Sequence, residues 1–312
     1  MSPNGKGADV ATLAASTARI GLGCMALTGI YGAIDRNVAQ DTIHAALDMG
    51  IMLFDTAALY ADGANEDLLG RTIGDRDDVF VVTKFGLSTG GDGALVRDSS
   101  PDAMRASVDA SLRRLRRERI DLLLQHRPDP RTDDAVVASV AADLMHEGKI
   151  ATFGLSGSTP ERAEEFARTI PVAAMQNELS LASPERQNEP AILDQAGAMF
   201  MAYAPLGRGL LTGSFGKVSM PGDLRERMPQ FQNDAEKANL ERLAVVDEIA
   251  AKHATSRTAI ALAWTLHAGS NVVPIPGARS PEQVRTAIMA ADLALTSDEM
   301  LRLSASAQQI AP

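Results

Sequence analysis

The chain has 312 residues, of which 45% are hydrophobic and 22% are charged, and its formal net charge at pH 7 is −10. That length allows one large domain or two average ones, and the composition supplies enough apolar side chains for a core. The negative charge argues against a nucleic-acid-binding protein, because a nucleic-acid-binding surface is normally basic.

Residues 1–18 lack the basic segment, apolar segment and cleavage site of a signal peptide, and we expect them to form a tail ahead of one domain at 19–312. No apolar run reaches the roughly 20 residues of a membrane span. The one cysteine, Cys24, excludes an intrachain disulfide and suits a reducing compartment. These features predict a cytoplasmic protein without a membrane partner.

Eight short apolar runs alternate with amphipathic, helix-like segments along most of the chain. The runs lack strict apolar–polar alternation, which is typical of parallel strands buried on both faces. This order favours an α/β fold of the (β/α)8 TIM-barrel type, with a doubly wound open sheet as the competing architecture. The expected strands lie near Arg19–Gly23, Met52–Asp55, Val79–Lys84, Ile120–Gln125, Ile150–Leu155, Val172–Gln176, Met199–Tyr203 and Val272–Pro276.

The segment Gly21–Ala26 fits the pattern G-x-G-x-x-A of dinucleotide-binding folds. That motif binds pyrophosphate when its glycine turn opens directly into a helix. Here Gly29 and Gly32 follow, and the next helix is expected only near Asn37. We therefore interpret the segment as a strand followed by a loop.

Serine or threonine followed by proline is a typical helix start, because proline is well accepted in the first helical turn. The pairs Ser100-Pro101, Thr159-Pro160, Ser183-Pro184 and Ser280-Pro281 have this pattern. A basic run, LRRLRRER from Leu112 to Arg119, falls in one of these helical segments. Binding of phosphate is one reading of the run, but the exposed face of a helix is the more usual one.

Two features depart from a plain repeat of strand and helix. A stretch without periodicity, Ala204–Asp234, follows the seventh strand, and a loop of that length is usually functional. Two helical segments, about Ala235–Lys252 and Ser256–His267, then precede the eighth strand, and a last helix is expected at about Ser297–Ser306.

Four residues with acid–base side chains lie at or just after the ends of the second, third and fourth strands: Asp55, Tyr60, Lys84 and His126. In a barrel the carboxyl ends of parallel strands form one face, so we expect these side chains to meet. A nearby ammonium lowers the pKa of a phenol, and a carboxylate can hold that ammonium in place. The set predicts a site that protonates a carbonyl oxygen while another group supplies a hydride.

Each of these residues has an ordinary structural role when taken singly, but the four together resemble the active site of the aldo-keto reductase family. The resemblance runs from about Gly21 to Ser280 in one order. The segments that carry it are FDTAALYADGANEDLLG, VVTKFG, IDLLLQHRPDP, EGKIATFGLS, MQNELS, YAPLGRGLLTG and PIPGARS.

Membership of this family implies a (β/α)8 barrel that uses NADPH, without metal or flavin, to reduce aldehydes or ketones. Tyr60 would be the general acid, Lys84 and Asp55 would tune it, and His126 would position the carbonyl. Residues 1–18 would cover the bottom of the barrel.

The resemblance also implies a set of cofactor residues. Ser156 and Gln176 would bind the nicotinamide carboxamide, Tyr203 would stack on the ring, and Arg279 would pair with a 2′-phosphate, which favours NADPH over NADH. The loop after the seventh strand would pass over the pyrophosphate, and Gln283 would reach the adenine end. The full expected set is Gly23, Met25, Ser156, Gln176, Tyr203, Leu206, Gly207, Arg208, Gly209, Gly277, Ala278, Arg279, Ser280 and Gln283.

Two cofactor-site positions depart from the family pattern: Gly157 stands where many relatives have asparagine, and Ala204 where serine is common. The first predicts a missing hydrogen bond to the carboxamide. For the substrate, which we expect to be a small carbonyl compound, Tyr31 and Phe85 are expected to line a pocket, and Arg127 is expected to attract an anionic group.

Two other functions fit parts of the pattern. A regulatory NADP(H)-binding subunit, like those of cation channels, would keep the cofactor site and turn over slowly. A barrel lyase would use Lys84 to form a Schiff base, which requires a neutral amine, whereas Asp55 beside it favours the charged form.

Overall fold

Eight parallel strands separated by helices form one sheet in the part of the chain that the computed structural model describes, residues 19–213, 223–228, 231 and 243–310. The barrel strands are β1 (Leu22–Gly23), β2 (Leu53–Asp55), β3 (Phe80–Phe85), β6 (Ile120–Gln125), β7 (Ile150–Ser156), β8 (Val172–Glu178), β9 (Met199–Tyr203) and β10 (Val272–Pro274). Strands β4 (Leu87–Thr89) and β5 (Leu95–Arg97) form a separate antiparallel hairpin.

The α-helices of the described residues lie between the strands and after the last one. They are α1 (Arg36–Asp48), α2 (Ala64–Ile73), α3 (Pro101–Leu115), α4 (Asp134–His146), α5 (Pro160–Ala167), α6 (Glu189–Gln195), α7 (Ala244–Lys252), α8 (Arg257–His267), α9 (Pro281–Ile288) and α10 (Ser297–Ile310). Short 3-10 helices occupy Cys24–Thr28, Gly207–Thr212 and Leu224–Arg227. None of the described helices is long and apolar enough to cross a membrane.

The sheet is joined at its two ends. The order of strands follows the chain from β1 to β10. Gly21 N donates to Pro274 O at 2.9 Å and Gly23 N donates to Pro276 O at 3.0 Å, so the first strand is held against the last. This closure excludes the doubly wound open sheet and confirms the predicted (β/α)8 architecture.

Alternate residues of each strand face opposite layers, because side chains of a β-strand alternate between its two faces. Leu53, Val82 and Leu124 belong to a cluster that fills the barrel interior. Phe54 and Leu123 belong to the larger cluster between the sheet and the helices. A residue two positions beyond an interior residue therefore faces the interior again, at the carboxyl end of the barrel.

A buried carboxylate ties α2 and α3 to the third strand. Glu66 is fully buried; its Oε1 accepts from the hydroxyl of Thr83 at 2.5 Å and its Oε2 from Arg114 Nε at 2.7 Å. Thr83 directly precedes Lys84, so this contact fixes the strand beside the catalytic candidate. Arg114 belongs to the basic run, and Arg117 of the same run pairs with Asp121. Two arginines of the basic run therefore form ion pairs within the protein.

Most helix starts and strands lie where the sequence predicts them. Pro101, Pro160 and Pro281 each begin a helix. The helix start at Ser183-Pro184 is wrong: a tight turn joins Ser183 N to Ser180 O, and α6 begins at Glu189. The segment Gly21–Ala26 contains β1 and the start of a 3-10 helix, so it lacks the α-helix that a dinucleotide fold would need there.

Three expectations fall wholly or partly outside the described residues. The tail at residues 1–18 lies outside them. Residues 235–242 of the predicted helix Ala235–Lys252 also lie outside them, and the described part of this segment contains α7 (Ala244–Lys252). Much of the loop Ala204–Asp234 lies outside them as well. The described part of that loop contains two of the 3-10 helices.

Gly70 is a point of close helix contact, and we predict that Gly70→Ala destabilises the protein. An added Cβ would press on the carbonyl oxygen of Arg114 and lie 2.7 Å from the carbonyl carbon of Leu115. Overpacking of this kind costs about 1–3 kcal/mol, more than the roughly 1 kcal/mol that alanine gains over glycine in a helix. Urea denaturation measures the free energy of unfolding. Gly91→Ala, at an open position with no atom within 4 Å, is the matched control, and equal stability of the two variants would contradict the prediction.

Candidate active site

A cavity of about 810 Å³ opens at the carboxyl end of the barrel. It runs from the strand ends to the first turn of α9. Most of the residues that the sequence predicts for the site line it: Gly23, Met25, Tyr31, Asp55, Tyr60, His126, Arg127, Ser156, Gln176, Tyr203, Leu206, Arg208, Gly209, Gly277, Arg279 and Gln283.

Lys84 lies beneath the cavity floor, where it is 1% exposed. Its Nζ lies 2.7 and 2.8 Å from the two carboxylate oxygens of Asp55 and 2.7 Å from the carbonyl oxygen of Thr56. Burial alone would lower the pKa of Lys84, but Asp55 and Tyr60 outweigh it and raise that pKa. The amine is therefore a charged ammonium, which is unsuited to Schiff-base formation.

Tyr60 faces this ammonium. Its hydroxyl oxygen is 3.3 Å from Lys84 Nζ, and the ammonium lies 5.0 Å from the centre of the phenol ring. Burial raises the pKa of Tyr60, and the opposing effect of Lys84 does not cancel it. From the sequence, the positive charge of Lys84 alone predicts a lowered pKa for Tyr60. The structure adds the burial, and the phenol is a neutral hydrogen-bond donor at physiological pH.

A buried asparagine fixes the loop that carries Tyr60. Asn65, at the start of α2, accepts from the hydroxyl of Thr56 at 2.7 Å and donates from Nδ2 to Cys24 O at 2.9 Å. The backbone N of Ala58 also donates to Lys84 O at 3.2 Å. The loop is therefore bonded to three neighbouring parts of the barrel, and this holds the phenol above the ammonium.

His126 follows β6 and packs edge-on against Tyr60, with ring centres 5.9 Å apart. Burial, together with the positive charges of Lys84 and Arg127, lowers the pKa of His126 to about 2. The imidazole is therefore neutral at physiological pH, and its Nδ1 is buried without a hydrogen-bond partner among the described residues. A neutral imidazole donates a hydrogen bond from one nitrogen and accepts one at the other. It lacks the second ring proton that would make it a cationic acid.

Ser156, Gln176 and Tyr203 lie at the ends of the next three strands. Ser156 and Gln176 are paired across β7 and β8 and are 1% and 3% exposed. Gln176 donates from Nε2 to Asp55 Oδ1 at 2.7 Å. Arg127 lies beside Ser156 and Tyr203. Its Nη1 donates to Ser156 Oγ at 3.0 Å, and its guanidinium is 5.8 Å from the ring of Tyr203.

The arginines at the other end of the cavity are already bonded within the protein. Arg208 makes a bidentate ion pair with Glu178, at 2.6 and 2.8 Å. Arg279 donates to the carbonyl oxygens of Tyr31, Gly32 and Ala33 at 2.7, 2.9 and 2.7 Å. The Nε of Arg279 is buried without a partner among the described residues. The backbone N of Arg279 donates to Gln283 Oε1 at 2.8 Å.

Besides Lys84, four predicted site residues do not line the cavity, and one of these predictions is wrong. Phe85 is 1% exposed and packs against Phe153 in the layer between sheet and helices, because its neighbour Lys84 faces the interior and strand side chains alternate. Gly207 and Ala278 are buried just behind the lining. Ser280 caps α9, accepting from Gln283 N.

The sequence missed several cavity residues. Leu87, Leu95 and Arg97 come from the hairpin β4–β5, whose strands of three residues flank the glycine-rich turn TGGDG. Leu224 and Arg225 come from the loop after β9: Leu224 N donates to Ile30 O at 3.2 Å, and Arg225 lies 5.4 Å from the ring of Tyr31. The glycine-rich turn was a readable signal for the hairpin. The described residues contain no cluster of His, Cys, Asp or Glu suited to a metal.

The comparisons with known proteins indicate one family. The model of the aldo/keto reductase family matches residues 19–308. The chain is 33% identical to aldo-keto reductase str7 of Strobilurus tenacellus, over 93% of this chain and 89% of that protein. It is 32% identical to aldo-keto reductase yakc [NADP(+)] of Schizosaccharomyces pombe, over 83% and 79%. A glycerol dehydrogenase from Gluconobacter oxydans has a similar structure, with a TM-score of 0.84, 34% identity and coverage of 92% and 90%.

We predict that His126 does not titrate between pH 5 and pH 8, because its pKa is lowered to about 2. NMR spectra of the ring protons, recorded across this range with free imidazole as the reference, should show the signals of His126 unchanged. The spectrum of His126→Gln assigns those signals. A midpoint for His126 inside this range would contradict the burial that the structure describes.

Proposed function

The chain belongs to the aldo-keto reductase family, and we propose that it is an NADPH-dependent reductase that converts an aldehyde or a ketone to the alcohol. The family consists of oxidoreductases that use a nicotinamide cofactor. The observation that carries the proposal is the contact of Tyr60 with the Lys84–Asp55 ion pair on the floor of the cavity. One domain, residues 19–312, would contain the whole site.

The protein's own groups suit the protonation of a carbonyl oxygen. Tyr60 is neutral and therefore holds a proton to donate. The ammonium of Lys84 stabilises the phenolate that forms on donation, and Asp55 keeps this ammonium in place. His126, which is neutral, would orient the carbonyl oxygen by a hydrogen bond.

The residues at the strand ends fit a nicotinamide. The cofactor supplies the hydride when it is bound. Ser156 and Gln176 would hold its carboxamide, and Tyr203 would lie against the ring. Arg279, whose buried Nε has no hydrogen-bond partner among the described residues, would contribute positive charge near a phosphate at α9. The name of the relative from Schizosaccharomyces pombe includes NADP(+), which also supports a phosphorylated cofactor.

The substrate end of the cavity has an apolar wall. Leu87 and Leu95 of the hairpin line the same cavity as Tyr60, and Leu95 is 64% exposed. We therefore propose a small carbonyl compound with an apolar part that contacts this hairpin. Tyr31, from the first loop after β1, also lines the cavity and contacts Arg225.

We predict that Tyr60→Phe lowers kcat for aldehyde reduction by about 10²–10⁴-fold, because it removes the proton donor. The consumption of NADPH with an activated aromatic aldehyde, followed by absorbance, measures kcat, and the dissociation constant for NADPH should change little. Tyr31→Phe, which removes a phenol oxygen from the same cavity, is the matched control and should lose less than tenfold. Unchanged turnover in Tyr60→Phe would sink the proposed role. Tight NADPH binding without turnover on a broad panel of carbonyl compounds would instead favour a regulatory subunit.

We also predict that the protein binds NADPH about 10–100-fold more tightly than NADH, since a phosphate pairing with arginine forms charge-assisted hydrogen bonds. Arg279→Ala should weaken NADPH binding and leave NADH binding nearly unchanged. Titration calorimetry with both cofactors measures this. An equal loss for both would mean that Arg279 acts only through its bonds to the loop at Tyr31–Ala33.

A further inference from the structure

Gly157 leaves space that a neighbouring arginine fills. The residue has φ of +61°, a conformation that glycine and asparagine adopt more readily than other residues. A Cβ at this position would lie 2.9 Å from Cδ of Arg127 and 3.0 Å from its Nε. A side chain at position 157, such as the asparagine of many relatives, would therefore require the end of Arg127 to move.

Arg127 is held next to the carboxamide candidates. Its Nη1 donates to His126 O at 2.6 Å and to Ser156 Oγ at 3.0 Å. Among the described residues, the guanidinium of Arg127 is hydrogen-bonded to a carbonyl and a hydroxyl oxygen and not to a carboxylate. The side chain thus places a positive charge between Ser156 and Tyr203 that no acidic residue in the described part of the chain neutralises.

The contact with Arg127 sets the direction of the hydrogen bond that Ser156 can offer. Because Ser156 Oγ accepts from Arg127, its own O–H is available to donate toward the cavity. Gln176 is fixed in the opposite sense: its Nε2 donates to Asp55, so its Oε1 is the atom left to accept. One donor and one acceptor side by side match a primary carboxamide, which accepts through oxygen and donates through nitrogen.

We propose that Arg127, seated over Gly157, is the positioning residue of the nicotinamide carboxamide site and replaces the asparagine of many relatives. It acts through Ser156, whose hydroxyl it orients as a donor. This rests on the proposed function, because it requires a nicotinamide cofactor. It also reassigns Arg127, which the sequence suggests as a ligand for an anionic substrate group.

The test is a double-mutant cycle on the dissociation constant for NADPH, measured by titration calorimetry. Arg127→Ala should weaken binding about tenfold, the effect of one hydrogen bond to an oriented group. Gly157→Asn alone should also weaken binding, because its side chain collides with Arg127. In the Arg127→Ala background, Gly157→Asn should strengthen binding, since the asparagine then has room to bond the carboxamide. The effect of this substitution therefore reverses sign.

A ligand without nicotinamide separates this role from a general structural one. Binding of 2′-phospho-ADP-ribose should change less than twofold in Arg127→Ala. Arg127→Met keeps most of the side-chain volume and repeats the test if the alanine variant does not fold. Gly148→Asn, at a left-handed glycine with no atom within 4 Å, controls for the substitution itself, and Arg97→Ala controls for loss of a positive charge lining the cavity.

Three outcomes would overturn the proposal. These are an unreversed effect of Gly157→Asn, equal weakening of NADPH and 2′-phospho-ADP-ribose, and an unchanged NADPH constant with a raised KM only for carboxylate-bearing aldehydes. The last would make Arg127 a substrate ligand. If the wild-type protein does not bind NADPH, the proposed function fails as well; normal binding without the reversal removes only the role of Arg127.

Discussion

The buried ion pair between Lys84 and Asp55 is the interaction on which the site depends. Two charges removed from water are costly unless they are close and fully bonded, and here the ammonium contacts both carboxylate oxygens and a backbone carbonyl. The two residues lie at the carboxyl ends of β2 and β3, which are neighbouring parallel strands, and this pairing brings them together. The pair then determines its surroundings: it fixes the amide of Gln176, contacts the phenol of Tyr60 and helps to keep His126 neutral.

The charge distribution of the site follows from this pair. Lys84 and Asp55 form a charged pair, while the phenol of Tyr60 and the imidazole of His126 next to it are neutral. A carbonyl compound would thus meet neutral hydrogen-bonding groups, with a fixed positive charge directly behind the phenol. In the proposed reaction, this arrangement would stabilise the negative charge that develops on the phenol oxygen when its proton is transferred.

Much of the fold and the set of acid–base residues could be predicted from the sequence, because apolar runs and strand ends are local signals. Ile120–Gln125 and Met199–Tyr203 are strands with the predicted bounds. The error at Phe85 was avoidable, since two-residue alternation from Lys84 places it in the opposite layer. The partners of Arg127 and Arg279 could not be predicted, because a long flexible side chain takes the position that distant backbone atoms leave open.

Arg279, the residue that we propose pairs with a cofactor phosphate, is also bonded to a loop near the seam of the barrel. This residue near the end of the chain holds a loop about 250 positions earlier, next to the place where β1 meets β10. An engineer who replaced it to change the preferred cofactor would also release that loop. A redesign for NADH therefore needs a second substitution that restores hydrogen-bond donors to the carbonyl oxygens of Tyr31–Ala33. Variants changed at position 279 alone would lose stability together with any change in cofactor preference.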